Sequence, residues 1–343
     1  MYSTLVNDLQ QKIRAILDPI IFEGARVALL DYPYHTNVGD CLIWLGEMAY
    51  LKERNCTIQL VSTLGMDDLG LIKARENDLD FILLHGGGNF GTVWPQFQAS
   101  RESVIQAFPN IPIIQFPQSV FYAEDGDVAH TADIIQQHGR VTLLVRDRAS
   151  YDLMKSALSS PVFLCPDMAF MIGPLDAPHA IRKGSGVFLS RTDKEKLHLG
   201  IGKELRQSAG FELLETDWLD ESALEKWIIR FEYRLRKLVG HHPTANRYLL
   251  PLWNALANAR KSRGIKKLSQ GDIVITDRLH AHILSILLGK PNVVLDNNNK
   301  KLSGFHHQWT HGQSTIRIID SGSNLVEALT KAVNELSTQG STS

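Results

Sequence analysis

Two segments of the sequence place arginines beside a residue able to transfer a proton. Residues 276–282, with the sequence TDRLHAH, follow an apolar run and open an apolar helix. Within them, Arg278 can hold a phosphate or carboxylate, and His280 can transfer a proton near neutral pH. Residues 145–150 place Arg146 where a strand gives way to a helix, and a guanidinium there can bind such an anion with two hydrogen bonds. Together the two segments predict an anion site with a general acid.

These two segments and a third, CPDMAF at residues 165–170, contain residues with ordinary structural explanations. A lone histidine is more often structural than catalytic, and we assign that role to His282 while assigning catalysis to His280. Arg148 can equally be a surface residue. Asp167, in the sequence CPDMAF, either orients Arg146 or caps a helix, and the pattern does not decide between these roles.

A glycine-rich segment, HGGGNFG at residues 85–91, directly follows the apolar run 81–84. Its successive glycines allow the backbone to approach a ligand closely and to turn several amides toward one oxyanion. The segment is neither a dinucleotide-binding GxGxxG fingerprint nor a P-loop. A plain flexible loop is the alternative interpretation. The candidate anion-binding residues here are Gly86, Gly87, Gly88 and Asn89.

Polar residues also follow other apolar runs, where ligands bind at the carboxyl edge of an open parallel sheet. Some of them have bland explanations: residues 37–40 can be a turn with a helix cap, and residues 297–300 can be a solvated asparagine-rich turn. We nevertheless predict that this edge binds substrate. The additional candidates are Asn37, Gly39, Asp40, Gln118, Ser119, Arg191, Asn297 and Lys300.

Short apolar runs alternate with helical segments along the whole chain, which predicts an α/β fold built on mainly parallel sheets. Five runs lie between residues 26 and 165, and five more lie between 186 and 319. The intervening stretch is rich in glycine and proline, which end regular structure. We therefore predict two similar α/β domains, at residues 1–174 and 184–335.

The composition excludes several classes of protein. The chain has 343 residues, with 36 Lys and Arg against 37 Asp and Glu, so a surface built for nucleic acid is not expected. Three cysteines without CxxC spacing favour a reducing, cytoplasmic location. The histidines at 306, 307 and 311 lack a carboxylate or thiolate partner at metal-ligand spacing, so no metal site is predicted.

Basic residues concentrate in the central part of the chain. Residues 221–239 form a predicted amphipathic helix that carries several lysines and arginines, and residues 260–267 are again basic. A solvated helix face explains this pattern. The alternative is peripheral contact with an anionic membrane surface or with the pyrophosphate of a lipid-linked saccharide. No apolar stretch is long enough to span a bilayer, so any membrane contact is expected to be peripheral.

Taken in order, several of these motifs resemble those of the polysaccharide pyruvyl transferase family. The resemblance is strong over residues 31–170 and 272–301, and it fades over 192–268. It implies two Rossmann-like domains in a glycosyltransferase-B-like arrangement, with the active site in the cleft between them. The motifs that carry it are TNVGD, HGGGNFG, QFPQS, VRDRAS, CPDMAF, SR, TDRLHAHILSILLGKP and LDNNNKK.

The resemblance also implies a reaction. Members of the family transfer the pyruvyl group of phosphoenolpyruvate to two hydroxyls of one sugar, forming a cyclic ketal and releasing phosphate. On this basis His280 is expected to deliver or relay a proton to the donor, while Arg146 and Arg278 hold its anionic groups with help from the amides of residues 86–89. Asp40 is the candidate base for an acceptor hydroxyl. Phosphoenolpyruvate is a co-substrate, and no cofactor is expected.

The sugar acceptor belongs to an exopolysaccharide or to its lipid-linked precursor under this hypothesis. A nucleotide-sugar-dependent glycosyltransferase is the nearest alternative, because that architecture also has two Rossmann-like halves and a phosphate-binding cleft. A non-catalytic saccharide or phosphate sensor is the alternative from another class. The presence of both Arg278 and His280 makes the sensor less attractive.

Overall fold

A computed structural model describes residues 2–66, 68–176, 185–190, 212–239, 246–296, 301–319 and 325–340. Within these ranges the chain forms two separate β-sheets flanked by helices. Every strand pairing in both sheets is parallel. The predicted α/β class with parallel sheets is therefore confirmed.

The elements follow the alternation that the sequence predicts. The helices are α1 (Tyr2–Leu17), α2 (Val38–Glu53), α3 (Asp68–Lys73), α4 (Pro95–Ala107), α5 (Asp125–His138), α6 (Arg148–Ala157), α7 (Ala223–Val239), α8 (Asn246–Leu268), α9 (Leu279–Leu287), α10 (Lys301–Phe305) and α11 (Leu325–Gly340). The strands are β1 (Arg26–Leu30), β2 (Thr57–Val61), β3 (Phe81–Leu84), β4 (Gly87–Gly91), β5 (Ile113–Phe121), β6 (Val141–Val145), β7 (Val162–Leu164), β8 (Ser185–Leu189), β9 (Glu212–Thr216), β10 (Ile273–Thr276), β11 (Asn292–Leu295) and β12 (Ile316–Ile319).

The first sheet has seven strands in the order β2-β1-β3-β5-β6-β7, and β4 pairs with the distal part of β5. The second sheet has five strands in the order β12-β11-β10-β8-β9. In both sheets the central strands are buried and rich in β-branched and leucine side chains, as expected where helices cover both faces. The carboxyl ends of β6 and β10 lead into the two arginine-containing segments.

The glycine-rich segment after β3 is not the plain flexible loop of the alternative interpretation. Residues 87–91 form the short strand β4. It pairs with β5, and the register of this pairing shifts between Gly87 and Phe90. The cause is visible at Gly91, where a Cβ would lie only 2.0 Å from the carbonyl oxygen of Phe121. Glycine at position 91 therefore allows β4 and β5 to lie close together, in addition to giving the backbone freedom.

The two sheets are fixed to one another by a common apolar core. One buried cluster contains Leu29 of the first sheet, Val274 of the second, and side chains from the helices between them, such as Trp44 and Trp253. The N-terminal helix α1 belongs to the same cluster through Leu9. Residues from distant parts of the sequence can therefore hold fixed positions relative to each other.

Helix α2 packs unusually closely on both sides because of glycines. Gly46 lies against the 3₁₀ turn Met168–Ile172, and a Cβ at position 46 would lie 1.8 Å from the Met168 carbonyl oxygen. Helix α8 also packs closely against α2. A Cβ at Gly264 of α8 would lie 2.7 Å from the side chain of Val38, the first residue of α2, so glycine at position 264 allows this contact. The start of α2 is thus held between the two halves of the chain.

Gly46→Ala should destabilise the protein by roughly 1–3 kcal/mol, because the added methyl overlaps backbone that cannot move independently. Gly126→Ala is the matched control, since Gly126 also lies in a helix and a Cβ added there would have no atom within 4 Å. That control should be neutral or stabilising by up to about 1 kcal/mol. Urea unfolding measures both changes, and equal effects of the two substitutions would contradict the packing described.

Candidate active site

Three buried side chains from the two sheets meet at one point. Arg146 follows β6, Asp167 follows β7, and His280 lies in the first turn of α9 after β10. The Nη1 of Arg146 donates to Oδ2 of Asp167 at 2.7 Å, and the Nε2 of His280 lies 3.4 Å from the same oxygen. The Nη1 of Arg146 and the Nε2 of His280 are 3.5 Å apart. The carboxylate of Asp167 therefore links an arginine of one sheet to a histidine of the other.

Asp167 fulfils both roles that the sequence left open. Its Oδ2 orients Arg146, and its Oδ1 accepts a hydrogen bond of 2.9 Å from the amide of Ala169, which caps the 3₁₀ turn. Burial acts to raise the pKa of Asp167, but the hydrogen bond and charge of His280 and the charge of Arg146 outweigh it. The pKa of Asp167 is held well below its usual range, so the group is an anion.

The N-terminus of α2 lies directly against His280. A Cβ at Gly39 would lie 2.5 Å from the Nδ1 of His280, so only glycine leaves room for the imidazole. Asn37 caps the helix by accepting a hydrogen bond of 3.0 Å from the Gly39 amide. Asn37 and Gly39 are both predicted as ligand-binding residues. In the structure, Asn37 caps α2 and Gly39 leaves room for the ring of His280.

Asp40 lies in the first turn of the same helix. Its Oδ2 accepts a hydrogen bond of 2.8 Å from Asn37 and lies 3.4 Å from the Nε2 of His35. Burial acts to raise the pKa of Asp40, but the charges of His35 and His280 lead those that lower it below its usual value. Asp40 is therefore ionised near neutral pH, and with a side chain 25% exposed it remains accessible to a substrate hydroxyl.

The glycine segment approaches the same point from the first sheet. Gly88 is exposed, and a Cβ at this position would lie 3.1 Å from the Nη2 of Arg146. A Cβ at Gly87 would lie 3.7 Å from the Oδ1 of Asp40, and the φ of +133° also favours glycine there. Gly88 thus leaves room beside Arg146, whereas glycine at position 87 is favoured by its backbone conformation.

Two of the amides in residues 86–89, where anion-binding amides are predicted, already have acceptors within the protein. The Gly86 amide donates to Oε1 of Glu47 at 2.8 Å, and the Asn89 amide donates to Oε1 of Gln118 at 3.1 Å. A buried donor that already has an acceptor within the protein is not directed at a ligand. The amides at 86 and 89 therefore hold the shape of the segment.

Asn89 and Gln118 belong to a buried network that supports the site. The Nε2 of Gln118 donates to the carbonyl of His85 at 3.0 Å and to Oδ1 of Asn89 at 2.9 Å. Arg101 donates to that same Asn89 oxygen at 2.9 Å. By contrast, Ser119 reaches the central cluster directly, because its hydroxyl accepts a hydrogen bond of 3.0 Å from the Nε of Arg146.

Arg278 lies just beyond the carboxyl end of β10, the central strand of the second sheet, two residues before His280. Its Nη2 donates to Oδ1 of Asp217 at 3.1 Å, its Nε donates to the carbonyl of Ser190 at 3.3 Å, and its guanidinium lies 5.8 Å from the centre of the Trp218 ring. These three contacts of Arg278 are with residues that follow strands of the second sheet, whereas His280 contacts residues that follow strands of the first. The predicted candidates Arg191, Asn297 and Lys300 lie outside the described residues.

Two further predictions concern histidines and metals. His282 lies between Asn292 and Thr310, with ring nitrogens 2.7 Å and 3.1 Å from their side-chain oxygens. Burial lowers the pKa of His282 to about 4, which confirms its structural role as a neutral side chain. In the part of the chain that the structure describes, no group of three His, Cys, Asp or Glu side chains is placed to hold a metal ion.

Comparison with known proteins decides the family. The model of the polysaccharide pyruvyl transferase family matches residues 37–299, which include the whole cluster described above. The chain belongs to this family. It is accordingly a transferase, and its membership supports a role in pyruvyl transfer with a polysaccharide acceptor.

Individual relatives cover nearly the whole chain. A putative pyruvyl transferase of Bacillus subtilis, EpsO, is 30% identical over 319 residues, covering 92% of this chain and 94% of the relative. Pyruvyl transferase 1 of Schizosaccharomyces pombe is 31% identical over 323 residues, covering 91% and 75%. An uncharacterised protein of Klebsiella pneumoniae of known structure shares the fold at 17% identity, with a TM-score of 0.53 and coverage of 92% and 97%.

The transferase also contains a buried pair that the sequence reasoning missed. The Nδ1 of His85 lies 2.8 Å from Oε2 of Glu47, and both side chains are almost fully buried. Burial acts to lower the pKa of His85, but Glu47 reverses this effect and the pKa is raised. A signal was present, because Glu47 lies seven residues after Asp40 and therefore on the same face of α2.

Gly39→Ala should displace the imidazole of His280 while leaving most of the fold intact. A shift of about 1 Å at a catalytic group can reduce the rate of turnover by roughly 10²-fold. Turnover by the transferase measures this effect, and far-ultraviolet circular dichroism verifies the fold. Gly126→Ala is the control and should retain full turnover. Unchanged turnover in Gly39→Ala would show that the ring position does not matter.

Asp167→Asn should lower the free energy of unfolding by about 3–5 kcal/mol near neutral pH, because Arg146 loses its buried anionic partner. The folded-state pKa of Asp167 lies below the unfolded value of about 3.9, so its contribution is complete above that value and is lost as the pH falls. Urea unfolding of both proteins should therefore show a difference that narrows below about pH 4. A difference that stays constant with pH would contradict the ionised state.

Proposed function

We propose that the protein transfers the pyruvyl group of phosphoenolpyruvate onto two hydroxyls of one sugar, forming a cyclic ketal and releasing phosphate. The observation that carries the proposal is the contact of Arg146 and His280 with one oxygen of Asp167. This arrangement puts a cation for an anionic donor beside an imidazole for proton transfer. Family membership supplies the reaction class, pyruvyl transfer.

The donor carries a phosphate and a carboxylate, and its methylene carbon must gain a proton before C2 becomes electrophilic. In our proposal Arg146 binds one anionic group through Nη2, the nitrogen beside Gly88, because Nη1 and Nε are held by Asp167 and Ser119. Arg278, held by Asp217, contributes the second positive charge. His280 protonates the methylene carbon, which becomes the methyl group of the ketal.

Asp40 is the proposed base for the acceptor. It removes the proton of the first hydroxyl as that oxygen bonds to C2, giving a tetrahedral intermediate that still carries the phosphate. The second hydroxyl then bonds to C2 as the C–O bond to phosphate breaks, and its proton leaves with the phosphate. The proton taken by Asp40 then returns to His280 through solvent, so that both groups regain their starting states. In total, the two hydroxyl protons are replaced by one proton on the methyl group and one on inorganic phosphate, which balances the reaction.

The proposal extends to the architecture and location of the enzyme. We assign residues 1–174 and 184–335 to two Rossmann-like domains in a glycosyltransferase-B-like arrangement, with substrates entering between them. The separate sheets support this division, and the meeting of Arg146 with His280 supports a site at their junction. All three cysteines are free, which supports a reducing, cytoplasmic location.

His280→Ala should reduce turnover by roughly 10²–10⁴-fold, because the methylene carbon loses its general acid, while phosphoenolpyruvate binding is largely kept. Phosphate release measures turnover, and calorimetry measures donor binding. His130→Ala is the control. His130 is an exposed histidine whose side chain lies beside Glu102 and not beside Arg146, Asp167 or His280. Near-normal turnover of His280→Ala would remove His280 from the mechanism.

The choice of donor has its own test. The protein is incubated with candidate oligosaccharides and either phosphoenolpyruvate or a sugar nucleotide. Mass spectrometry should then show the mass increment of one pyruvyl ketal, and only phosphoenolpyruvate should be consumed. Consumption of the sugar nucleotide would instead establish a glycosyltransferase, and binding without phosphate release would indicate a sensor.

A further inference from the structure

Helix α7 has an inner face that is fastened to the rest of the protein by its two acidic residues. Glu225 accepts a hydrogen bond from Nη1 of Arg263. Glu232 accepts one of 2.6 Å from the hydroxyl of Tyr34 and one of 3.3 Å from the indole of Trp253. Both carboxylates are fully buried. The orientation of the helix is therefore fixed, and so is the face that it turns to solvent.

The outer face of α7 carries an apolar stripe. Leu224, Trp227, Phe231 and Leu238 are 59%, 61%, 46% and 85% exposed. Their spacing of three, four and seven residues places them in one row along the helix. The rings of Trp227 and Phe231 stack with centroids 5.8 Å apart, which makes the middle of the row a continuous aromatic surface. We call these four residues the apolar stripe of α7.

The exposed charges of the same helix are all positive. Lys226, Arg230, Arg234 and Lys237 are exposed, whereas the two acidic residues of α7 are both buried. At 100° per residue the four basic residues form a band that adjoins the apolar stripe. An exposed apolar row beside a band of one charge sign is typical of helices that lie in the interface of an anionic bilayer.

We propose that α7 docks the enzyme onto an anionic membrane surface, with Trp227 and Phe231 at the boundary between headgroups and acyl chains. The basic band then faces the lipid phosphates, and the helix axis lies in the membrane plane. In the described ranges no helix is long and apolar enough to span a bilayer, so the contact is peripheral. A bilayer matches this face better than a protein does, because all the exposed charges beside the stripe are positive and two of the four are lysines, which the cores of protein interfaces avoid.

The docking face is connected to the candidate active site through the loop between β1 and α2. Tyr34 of this loop donates to Glu232 of α7, and the carbonyl of Thr36 accepts a hydrogen bond of 2.5 Å from Arg263, the partner of Glu225. The same loop leads directly to Asp40. A membrane-bound enzyme would thus hold its acceptor base on the segment that follows the loop packed behind the docking helix, which suits a lipid-linked sugar. This last step rests on the proposed function, whereas membrane docking does not.

The test is co-sedimentation of the full chain with vesicles of phosphatidylcholine, with or without phosphatidylglycerol. The wild-type protein should bind the anionic vesicles and release them at high salt. Arg230→Gln/Arg234→Gln should weaken the binding by roughly tenfold or more, since each basic residue near the surface contributes about fivefold. Trp227→Ser/Phe231→Ser should weaken it by at least as much, because the aromatic rings leave the interface.

Matched controls exist for both types of change. Trp94 is 49% exposed but belongs to another surface, so Trp94→Ser should bind vesicles like the wild type. Arg148→Gln removes an exposed arginine that pairs with Asp152 and should also have no effect. In a Trp94→Phe background, the remaining exposed tryptophan among the described residues is Trp227, and brominated lipids should quench its fluorescence.

Three results would overturn the proposal. They are absence of binding to anionic vesicles, equal loss of binding in the control variants, and loss of self-association instead of lipid binding in the α7 variants. Donor turnover with a soluble acceptor is measured in parallel. It should be unchanged in the α7 variants, so failure to bind vesicles is distinguishable from failure of the proposed pyruvyl transfer.

Discussion

The candidate site depends on one buried carboxylate that contacts an arginine and a histidine at once. Asp167 is fully buried, pairs with Arg146 at 2.7 Å, and lies 3.4 Å from the ring of His280. Because one oxygen makes both contacts, the arginine and the histidine cannot move independently. A buried ion pair of this kind need not stabilise the fold. It does fix the positions of its side chains when their hydrogen bonds are complete. Asp167 is best understood as a positioning residue.

This arrangement requires that the two sheets keep a fixed position relative to each other. The common apolar core supplies that constraint, and α2 transmits it to the site. Gly46 seats the helix on the turn that follows Asp167, while Gly39 admits His280 at the other end. The same helix then presents Asp40 and Glu47 on one face, toward the glycine segment. The site is therefore assembled around α2, although its charged groups come from other elements.

Much of this was accessible from the sequence, for physical reasons. Apolar runs with helical segments between them predict parallel sheets, and polar residues at the ends of strands predict which side chains meet, which identified Arg146 and His280. The sequence could not show that Asn89 and Gln118 bond to each other, because such pairing depends on the register of β4 against β5. Nor could it show that Arg278 pairs with Asp217, since that contact depends on the position of β9. The position of Glu47 on the Asp40 face of α2 indicates that it lies near the site, but the sequence could not show that it meets His85, because that contact depends on how α2 packs against the end of β3.

The most direct test of the central claim is the rate at which solvent deuterium enters the product methyl group in heavy water. If His280 protonates the donor while Asp167 holds it in place, each ketal formed from phosphoenolpyruvate gains one deuterium, and Asp167→Asn slows its incorporation together with phosphate release. A ketal methyl group free of solvent deuterium would contradict the account, as would incorporation at the wild-type rate in folded Asp167→Asn.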